Sequence, residues 1–197
     1  MATWYIDPSH SNVTFGVKHM MVSTVRGKLG KMQGEIEFDP KAPAMTTIAA
    51  SIDAGTLDTN DRKRDGHLKS PDFFDIAQYP EISFRSTTVE PKSKDGGKDG
   101  GDDRFTVRGD LTIRGTTKPV SFDARIEGVA TDQDGGEHLG AAGTLVIDRT
   151  QWGLVWNQPL ANGVLVGEKV TIDLGLSAID AATARKWGLA PAVTAAA

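Results

Sequence analysis

The chain of 197 residues contains no cysteine. This absence excludes disulfide bonds, thiolate nucleophiles and zinc or iron-sulfur sites built on cysteine. Histidine is scarce, with 4 copies, and none of them has the spacing of an HExxH or a similar metal motif. The sequence also lacks a GxSxG nucleophile elbow and a glycine loop of the phosphate-binding type. We therefore predict a protein without catalytic activity and without a cofactor.

An excess of positive charge is missing as well. Lys and Arg number 22 against 26 Asp and Glu, which gives a net charge of -4. This balance predicts no basic field for a phosphate backbone or an anionic membrane, and nucleic acid is not an expected partner. No stretch approaches the roughly 18 apolar residues that a membrane-spanning helix needs. The first residues resemble no secretory leader, so we expect a cytoplasmic protein from the sequence as given.

Apolar and polar residues alternate along most of the chain, which is the period-two pattern of half-buried β-strands. The pattern predicts about eight strands or more, and the short polar turns between them predict antiparallel pairing. Turns are predicted at Asp39-Pro40, Arg114-Gly115, Asp132 to Gly136 and Asn162-Gly163. The alternating apolar positions are Val13, Phe15, Val17, Ile36, Phe38, Ile48, Ala50, Ile52, Ile82, Phe84, Phe105, Val107, Leu111, Ile113, Phe122, Ala124, Ile126, Leu145, Ile147, Val170, Ile172 and Leu174.

The chain length suits one all-β domain, which we place at residues 1–179. Residues 180–197 are predicted to form a short helix and a disordered Ala-rich tail. Residues 91–103 have the sequence PKSKDGGKDGGDD, which is typical of a mobile hairpin loop. Closing the sheet into a barrel would remove its edges, although periodicity alone also allows a sandwich. Glycines suited to bulges and bends favour the barrel: Gly27, Gly30, Gly34, Gly109, Gly128 and Gly143.

One insert interrupts the strand pattern. Residues 64–74 read RDGHLKSPDFF, which combines polar and aromatic side chains. We predict a short helix near residues 60–76, capped by Thr59 or Asn60 and stopped by Pro71, that acts as the lid of a cavity. Arg64, Asp65 and His67 are then candidates for contacts to a ligand. The alternative is an exposed helix decorated by Asp65 and Lys69, with two phenylalanines closing the core beneath it.

Long apolar side chains cluster near this insert or near the predicted mouth: Met20, Met21, Phe73, Phe74, Trp152, Leu154 and Trp156. Methionine adapts to flexible ligands, and tryptophan offers a large face with one polar group. Core packing or a dimer contact explains the same residues equally well. A zinc site formed by His10, His19 and His67 is a further alternative, because zinc accepts three imidazoles and a water molecule. Separate structural hydrogen bonds are the simpler role for these histidines.

Four runs of the sequence resemble, in order, the YceI family of lipocalin-like, polyisoprenoid-binding proteins. They are IDPSHSNVTFGVKHMMVSTVRGKLGKMQGEIEFDP (6–40), DRKRDGHLKSPDFFDIAQYPEISFRST (61–87), GDLTIRGTTKPVSF (109–122) and RTQWGLVWNQPLANGVLVGEKVTIDL (149–174). The resemblance implies an eight-stranded antiparallel barrel, often dimeric, that holds a long isoprenoid, a quinone or a fatty-acid-like chain. Many members of the family look periplasmic or secreted, whereas no leader is visible here.

The resemblance implies a non-catalytic carrier or sequestering protein, with an amphiphilic lipid as its partner and a homodimer as its expected assembly. Inward side chains of the strands would line the pore, and the polar end of the ligand would meet Arg64, Asp65, His67 or His19 near the mouth. A metal-dependent enzyme and a filled barrel that acts as an interaction scaffold are the alternatives. The residues expected to line the pore are Val13, Phe15, Val17, Ile36, Phe38, Ile52, Phe84, Leu111, Ile113 and Leu174.

Overall fold

The computed structural model describes residues 1–39, 42–92, 103–161 and 163–190, and most of these residues lie in β-strands. Two short helices, α1 (Arg62–Lys69) and α2 (Ala181–Lys186), accompany 3₁₀ turns at Pro43–Met45, Ala54–Thr56 and Arg149–Trp152. The strands are β1 Ala2–Ile6, β2 Asn12–His19, β3 Ser23–Leu29, β4 Met32–Phe38, β5 Thr47–Asp53, β6 Glu81–Pro91, β7 Arg104–Ile113, β8 Thr116–Thr131, β9 Glu137–Asp148, β10 Pro159–Leu160, β11 Gly163–Val164 and β12 Val166–Asp180.

The strands close into an antiparallel barrel in the order β1, β4, β5, β6, β7, β8, β9 and β12. β1 closes the barrel by pairing with the end of β12, which places Trp4 opposite Asp180. Nearer the start of β12, the strand that pairs with its edge is β2 instead of β1. In the same way, β3 pairs with β2 and β4 pairs with β1, so β3 and β4 follow each other along the barrel. Because β1 with β2 and β3 with β4 each act as one broken strand, the barrel has eight strands, as the sequence predicts.

Two of the predicted glycine bends coincide with irregularities in strand pairing. The register between β6 and β7 shifts between Ser86 and Thr88, opposite Gly109. The register between β8 and β9 shifts at Gly128, whose φ of 150° lies in a region that side chains disfavour. Bulges of this kind increase twist and help a sheet to close. The prediction that glycines bend these two strand pairs is confirmed.

The two ends of the barrel differ in their connections. At one end, here called the helical end, lie the β2–β3 turn, the segment 54–80 with α1, and the segment 149–165. At the opposite, far end lie the β4–β5 and β8–β9 connections and α2. A large apolar cluster lies in the helical half, and two smaller clusters built around Trp4 and Phe105 lie at the far end.

Helix α1 is capped differently from the prediction. Asp61, rather than Thr59 or Asn60, is the N-cap, and its carboxylate accepts hydrogen bonds from the backbone N–H groups of Lys63 and Arg64, each at 3.0 Å. Asn60 cannot cap in the usual extended conformation because its φ is 61°, and the Thr59 hydroxyl donates to Asp65 instead. The helix ends at Lys69, two residues before Pro71, as predicted.

Several predictions fall on residues outside the described ranges. These are Pro40 of the first turn, residues 93–102 of the polar loop, Asn162, and residues 191–197 of the tail. In the parts of the chain that the structure describes, no helix is long and apolar enough to span a membrane.

Candidate functional site

A cavity of about 260 Å³ lies inside the barrel. It has side chains from all eight barrel strands in its wall, and Leu68, Phe73 and Phe74 from the α1 segment close it at the helical end. Its lining residues are Val13, Phe15, Val17, Leu29, Met32, Ile36, Ile48, Ala50, Ile52, Leu68, Phe73, Phe74, Ile82, Ser83, Phe84, Val107, Leu111, Ile113, Phe122, Ala124, Ala141, Ala142, Gly143, Leu145, Ile147, Arg149, Leu154, Val166, Val170, Ile172, Leu174 and Leu176. With few exceptions, this is a surface suited to hydrocarbon.

Among the described residues of this lining, Arg149 is the one charged residue, and no sequence motif predicted its place there. Its guanidinium is buried and donates to four backbone carbonyls: Gly167 from Nε at 2.8 Å, Leu154 and Trp156 from Nη1, and Val166 from Nη2 at 3.1 Å. Burial lowers the pKa of Arg149, and the charges of Glu168 and Asp148 oppose this effect. Because backbone carbonyls occupy most of its N–H groups, Arg149 fastens the segment 149–156 to β12 rather than presenting donors to the cavity.

Three aromatic rings of the cavity wall lie over glycines of neighbouring strands. A Cβ atom on Gly27 would lie 2.7 Å from Cε1 of Phe15, and one on Gly109 would lie 2.5 Å from Cζ of Phe84. A Cβ atom on Gly143 would lie 3.4 Å from ring carbons of Phe122. Because no side chain stands between ring and wall, each ring lies against the sheet. The lumen in front of the rings therefore stays open.

The α1 segment is tied down by a small polar network that does not reach the cavity. Asp65 accepts hydrogen bonds from the Thr59 N–H at 2.9 Å and the Thr59 hydroxyl at 2.6 Å. Arg64 donates from Nε to the same hydroxyl at 2.8 Å and from Nη2 to the Thr59 carbonyl at 2.9 Å. Thr59 is buried, so the satisfied network is worth more than an exposed one. Arg64 and Asp65 thus fix the start of α1.

His67 belongs to an aromatic cluster that covers the helical end. Its ring packs edge-on against Trp156, with centroids 4.5 Å apart, and against Phe73 at 5.1 Å. Nε2 of His67 lies 2.9 Å from a carboxylate oxygen of Asp72. Phe73 and Trp156 also contact each other at 5.5 Å. The cluster joins the α1 segment to the segment 149–165 and closes the barrel above the cavity.

The structure brings twelve of the predicted ligand-binding residues to the cavity wall: Val13, Phe15, Val17, Ile36, Ile52, Phe73, Phe74, Phe84, Leu111, Ile113, Leu154 and Leu174. Their contact with a ligand stays a prediction. Trp152 and Trp156 are not part of the described lining; Trp152 is buried and donates from Nε1 to the Leu111 carbonyl at 3.1 Å.

Other predicted site residues do not line the cavity. Phe38 packs in the far-end cluster around Trp4, because β4 has passed below the cavity at that point. His19 ends β2, and Met20 and Met21 form the exposed turn that follows. Arg64, Asp65 and His67 form the contacts described above. Arg64, Asp65 and His67 lie at the helical end outside the cavity, and their contact with the polar end of a ligand, like that of His19, stays a prediction.

The alternative zinc site is not assembled. His10 precedes β2 and His19 ends it, so the strand Asn12–His19, which rises ~3.3 Å per residue, separates them by about 23 Å. Nδ1 of His10 lies 2.6 Å from Asp7. Burial would raise the pKa of Asp7, but hydrogen bonds from His10 and Ser9 lower it overall. Among the described residues, no group of three or more His, Asp or Glu side chains is arranged to hold a metal ion.

Comparisons with known proteins agree with this architecture. The model of the YceI-like domain family matches residues 4–178. A UPF0312 protein from Vibrio cholerae serotype O1 is 34% identical over 146 residues, which cover 74% of this chain and 73% of that protein. The crystal structure of Burkholderia cenocepacia BcnA matches with a TM-score of 0.73 at 23% identity, over 87% of this chain and 98% of the other. A polyisoprenoid-binding domain from Saccharophagus degradans matches with a TM-score of 0.68 at 14% identity, over 91% and 99%.

Proposed function

The chain belongs to the YceI-like domain family, and we propose that it is a non-catalytic protein that carries or sequesters a long apolar isoprenoid or a related lipid inside its barrel. The observation that carries the proposal is the cavity, whose described lining is hydrocarbon except for Ser83 and Arg149 and a few backbone atoms. The Saccharophagus degradans neighbour, described as a polyisoprenoid-binding domain, supports the same class of ligand. The family and the structure together favour binding over chemistry.

The free energy of binding increases with the length of the ligand's hydrocarbon chain that is buried in the cavity. Each methylene buried in the cavity contributes roughly 0.8 kcal/mol, so one isoprene unit contributes a few kcal/mol before ordering costs are subtracted. A polar head group has little to gain inside the cavity, because the donors of Arg149 are mostly committed to backbone carbonyls. We infer that the protein selects its ligand by the hydrocarbon chain and leaves the head group at the helical end.

The size of the cavity limits the shape of the ligand. Its volume of about 260 Å³ is slightly below that of typical ligand sites, which measure about 300–1,000 Å³. An eight-stranded barrel has room for its own side chains or for one slim ligand. The cavity therefore suits a flexible chain better than a fused ring system, and a longer chain would extend past Phe73 and Phe74 at the helical end.

The test is the uptake of an isoprenoid by protein variants whose cavity is filled. Ala50 lines the cavity, whereas the adjacent Ala49 of β5 does not. Ala50→Phe should fill the lumen and abolish uptake of geranylgeraniol, and Ala49→Phe should leave it unchanged because neighbouring residues of a strand face opposite sides.

Native mass spectrometry after incubation with geranylgeraniol would count bound ligand, and denaturing spectra of the freshly purified protein would identify any lipid already present. Stoichiometric uptake by wild type and Ala49→Phe, lost in Ala50→Phe, is the expected result. Equal uptake by the two variants would place the ligand outside the barrel. Failure of the wild type to take up any isoprenoid or acyl chain would reject the proposed function.

A further inference from the structure

The turn between β2 and β3 exposes three consecutive apolar side chains. Met20 is 48% exposed, Met21 is 57% exposed and Val22 is 82% exposed. The Val22 N–H donates to the His19 carbonyl at 3.2 Å and closes a β-turn within the three-residue loop between the paired residues His19 and Ser23. The tip of this hairpin, Met20 to Val22, therefore projects hydrocarbon into solvent.

The backbone of this tip is unfavourable for methionine. Met20 and Met21 have φ values of 52° and 62°, so both lie in the left-handed region. A hairpin turn with two left-handed residues is usually occupied by Asn-Gly or Asp-Gly, because those residues tolerate it. Turn chemistry thus fails to explain the two methionines. Core packing does not explain them either, since their side chains are exposed.

The hairpin is basic although the chain as a whole is acidic. Residues 8–34 contain Lys18, Arg26, Lys28 and Lys31 but no Asp or Glu. Lys28 pairs with Asp58 at 3.3 Å, and Lys31 pairs with Asp53 at 3.6 Å.

The two basic residues nearest the tip stand apart from these pairs. Lys18 and Arg26 are exposed and have no carboxylate partner in the part of the chain that the structure describes. Two cations without a carboxylate partner among the described residues therefore lie on the strands that flank the apolar tip.

The tip is adjacent to the helical end of the cavity. The Met20 N–H donates to the Leu165 carbonyl at 2.8 Å, and His19 pairs with Val166, which lines the cavity. Two further exposed apolar residues, Val155 and Leu160, lie in the neighbouring segment 149–165. Five exposed apolar residues thus lie where a lipid would enter or leave the barrel.

We propose that the β2–β3 tip inserts into the surface of an anionic lipid bilayer and holds the helical end of the barrel against it. This inference rests on the proposed function, because it supplies the route by which an apolar chain passes between bilayer and cavity. Apolar side chains enter the interface while flanking Lys and Arg side chains meet anionic lipid head groups. A second copy of the chain fits this surface less well, because a two-fold contact through the tips would bring Lys18 and Arg26 close to their own symmetry mates.

Flotation with vesicles tests this proposal. The probes are vesicles of phosphatidylcholine alone and vesicles of equal parts phosphatidylcholine and phosphatidylglycerol. The variant Met20→Asn with Met21→Gly removes the apolar tip while giving the turn its preferred residues, so its thermal stability should stay equal or rise. Its partitioning onto the anionic vesicles should fall by about tenfold or more.

Two further variants test whether vesicle binding depends on the position of the exposed methionines and on the basic side chains near the tip. Met45→Asn is the matched control, because Met45 is 63% exposed at the far end and its loss should leave partitioning unchanged. Lys18→Glu with Arg26→Glu should weaken binding to anionic vesicles by about tenfold or more and have little effect on neutral ones.

Equal partitioning of the wild type and the tip variant would overturn the proposal, as would a concentration-dependent dimer that only the tip variant loses. Uptake of geranylgeraniol from solution is measured on the same proteins and should be the same for both. If the wild type takes up geranylgeraniol but does not bind anionic vesicles, the proposal of a membrane-docking tip is wrong while the proposed function stands.

Discussion

The two ends of this barrel are built from the same alternating pattern and yet differ in their interiors. At the far end, Val89 and Phe105 are buried in one cluster, whose third buried member, Val107, also reaches the cavity wall, and Trp4, Leu139 and Ala178 belong to another. At the helical half, large side chains line an open space instead of filling it. Inward alternation alone therefore does not decide between a packed core and a cavity.

Glycines account for part of this difference. Phe15, Phe84 and Phe122 rest over Gly27, Gly109 and Gly143, so their bulk lies along the wall. The aromatic cluster of His67, Phe73 and Trp156 then covers the space from outside. A barrel of this size stays hollow where its large rings lie flat and its ends are covered.

The largest expected effect concerns the packed end. Phe105 is 5% exposed, and Phe105→Ala should lower the free energy of unfolding by about 3–5 kcal/mol, because the cavity left behind cannot collapse fully. Phe15→Ala should cost less, about 1–3 kcal/mol, since that ring already borders empty space. Urea unfolding followed by tryptophan fluorescence measures both losses. Equal losses would mean that the two ends are packed alike.

A smaller effect is expected from narrowing the hollow end. Gly27→Ala should push the Phe15 ring into the lumen. The added Cβ atom would also lie 2.8 Å from Cγ2 of Thr59. We expect uptake of geranylgeraniol to weaken by about tenfold, since a filled lumen buries less of the ligand.

The pair Gly27→Ala with Phe15→Leu should recover much of the lost binding, as measured by native mass spectrometry. Gly66→Ala is the control, because a Cβ atom there meets nothing within 4 Å and the residue lies in α1. Unchanged binding of geranylgeraniol by Gly27→Ala would show that the position of the Phe15 ring over Gly27 does not determine the width of the cavity.

The smallest expected effect is electrostatic and belongs to the far end. Asp180 caps α2 and also accepts a hydrogen bond from the Glu137 N–H at 2.9 Å. Its pKa is lowered to about 2: burial opposes the shift, and hydrogen bonds from Thr183, Glu137 and Ala182 produce it. A lowered pKa stabilises the fold above the ordinary value of 3.8, and this contribution is lost as the pH falls toward 2.

Asp180→Asn keeps a capping side chain but removes the charge. We expect it to cost about 0.3–1 kcal/mol near neutral pH, with the difference from wild type shrinking between about pH 4 and pH 2. Urea unfolding at a series of pH values gives the difference. A constant difference across this range would mean that the Asp180 charge does not contribute.

Sequence alone predicted the hollow half well where side chains alternate regularly. Val13, Phe15 and Val17 all reach the cavity wall because β2 is regular there. Phe38 obeys the same alternation but reaches the far end, since distance along the barrel axis is not encoded in period two. Glycines such as Gly109 and Gly128 favoured a closed barrel over a sandwich, and the resemblance to the YceI family implied its eight strands.

The polar residues were harder to place. Arg149 escaped prediction because a buried arginine without a hydrogen-bonded carboxylate is rare, and no local pattern marks the four carbonyls that meet it. Arg64 and Asp65 were expected at a ligand, but Thr59 engages both. Net charge also concealed the basic β2–β3 hairpin, because averaging over the chain removes local segregation of charge.

The most direct test of the central claim is photo-crosslinking with a geranylgeraniol analogue that carries a diazirine at the end of its chain, followed by peptide mapping. If the apolar chain lies inside the barrel, labels should fall on residues of the cavity wall, such as Ala50, Ile52 and Phe84, and unlabelled geranylgeraniol should compete with them. Labels confined to the outer face of the barrel, or labelling that unlabelled ligand does not reduce, would contradict the claim that the apolar chain lies inside.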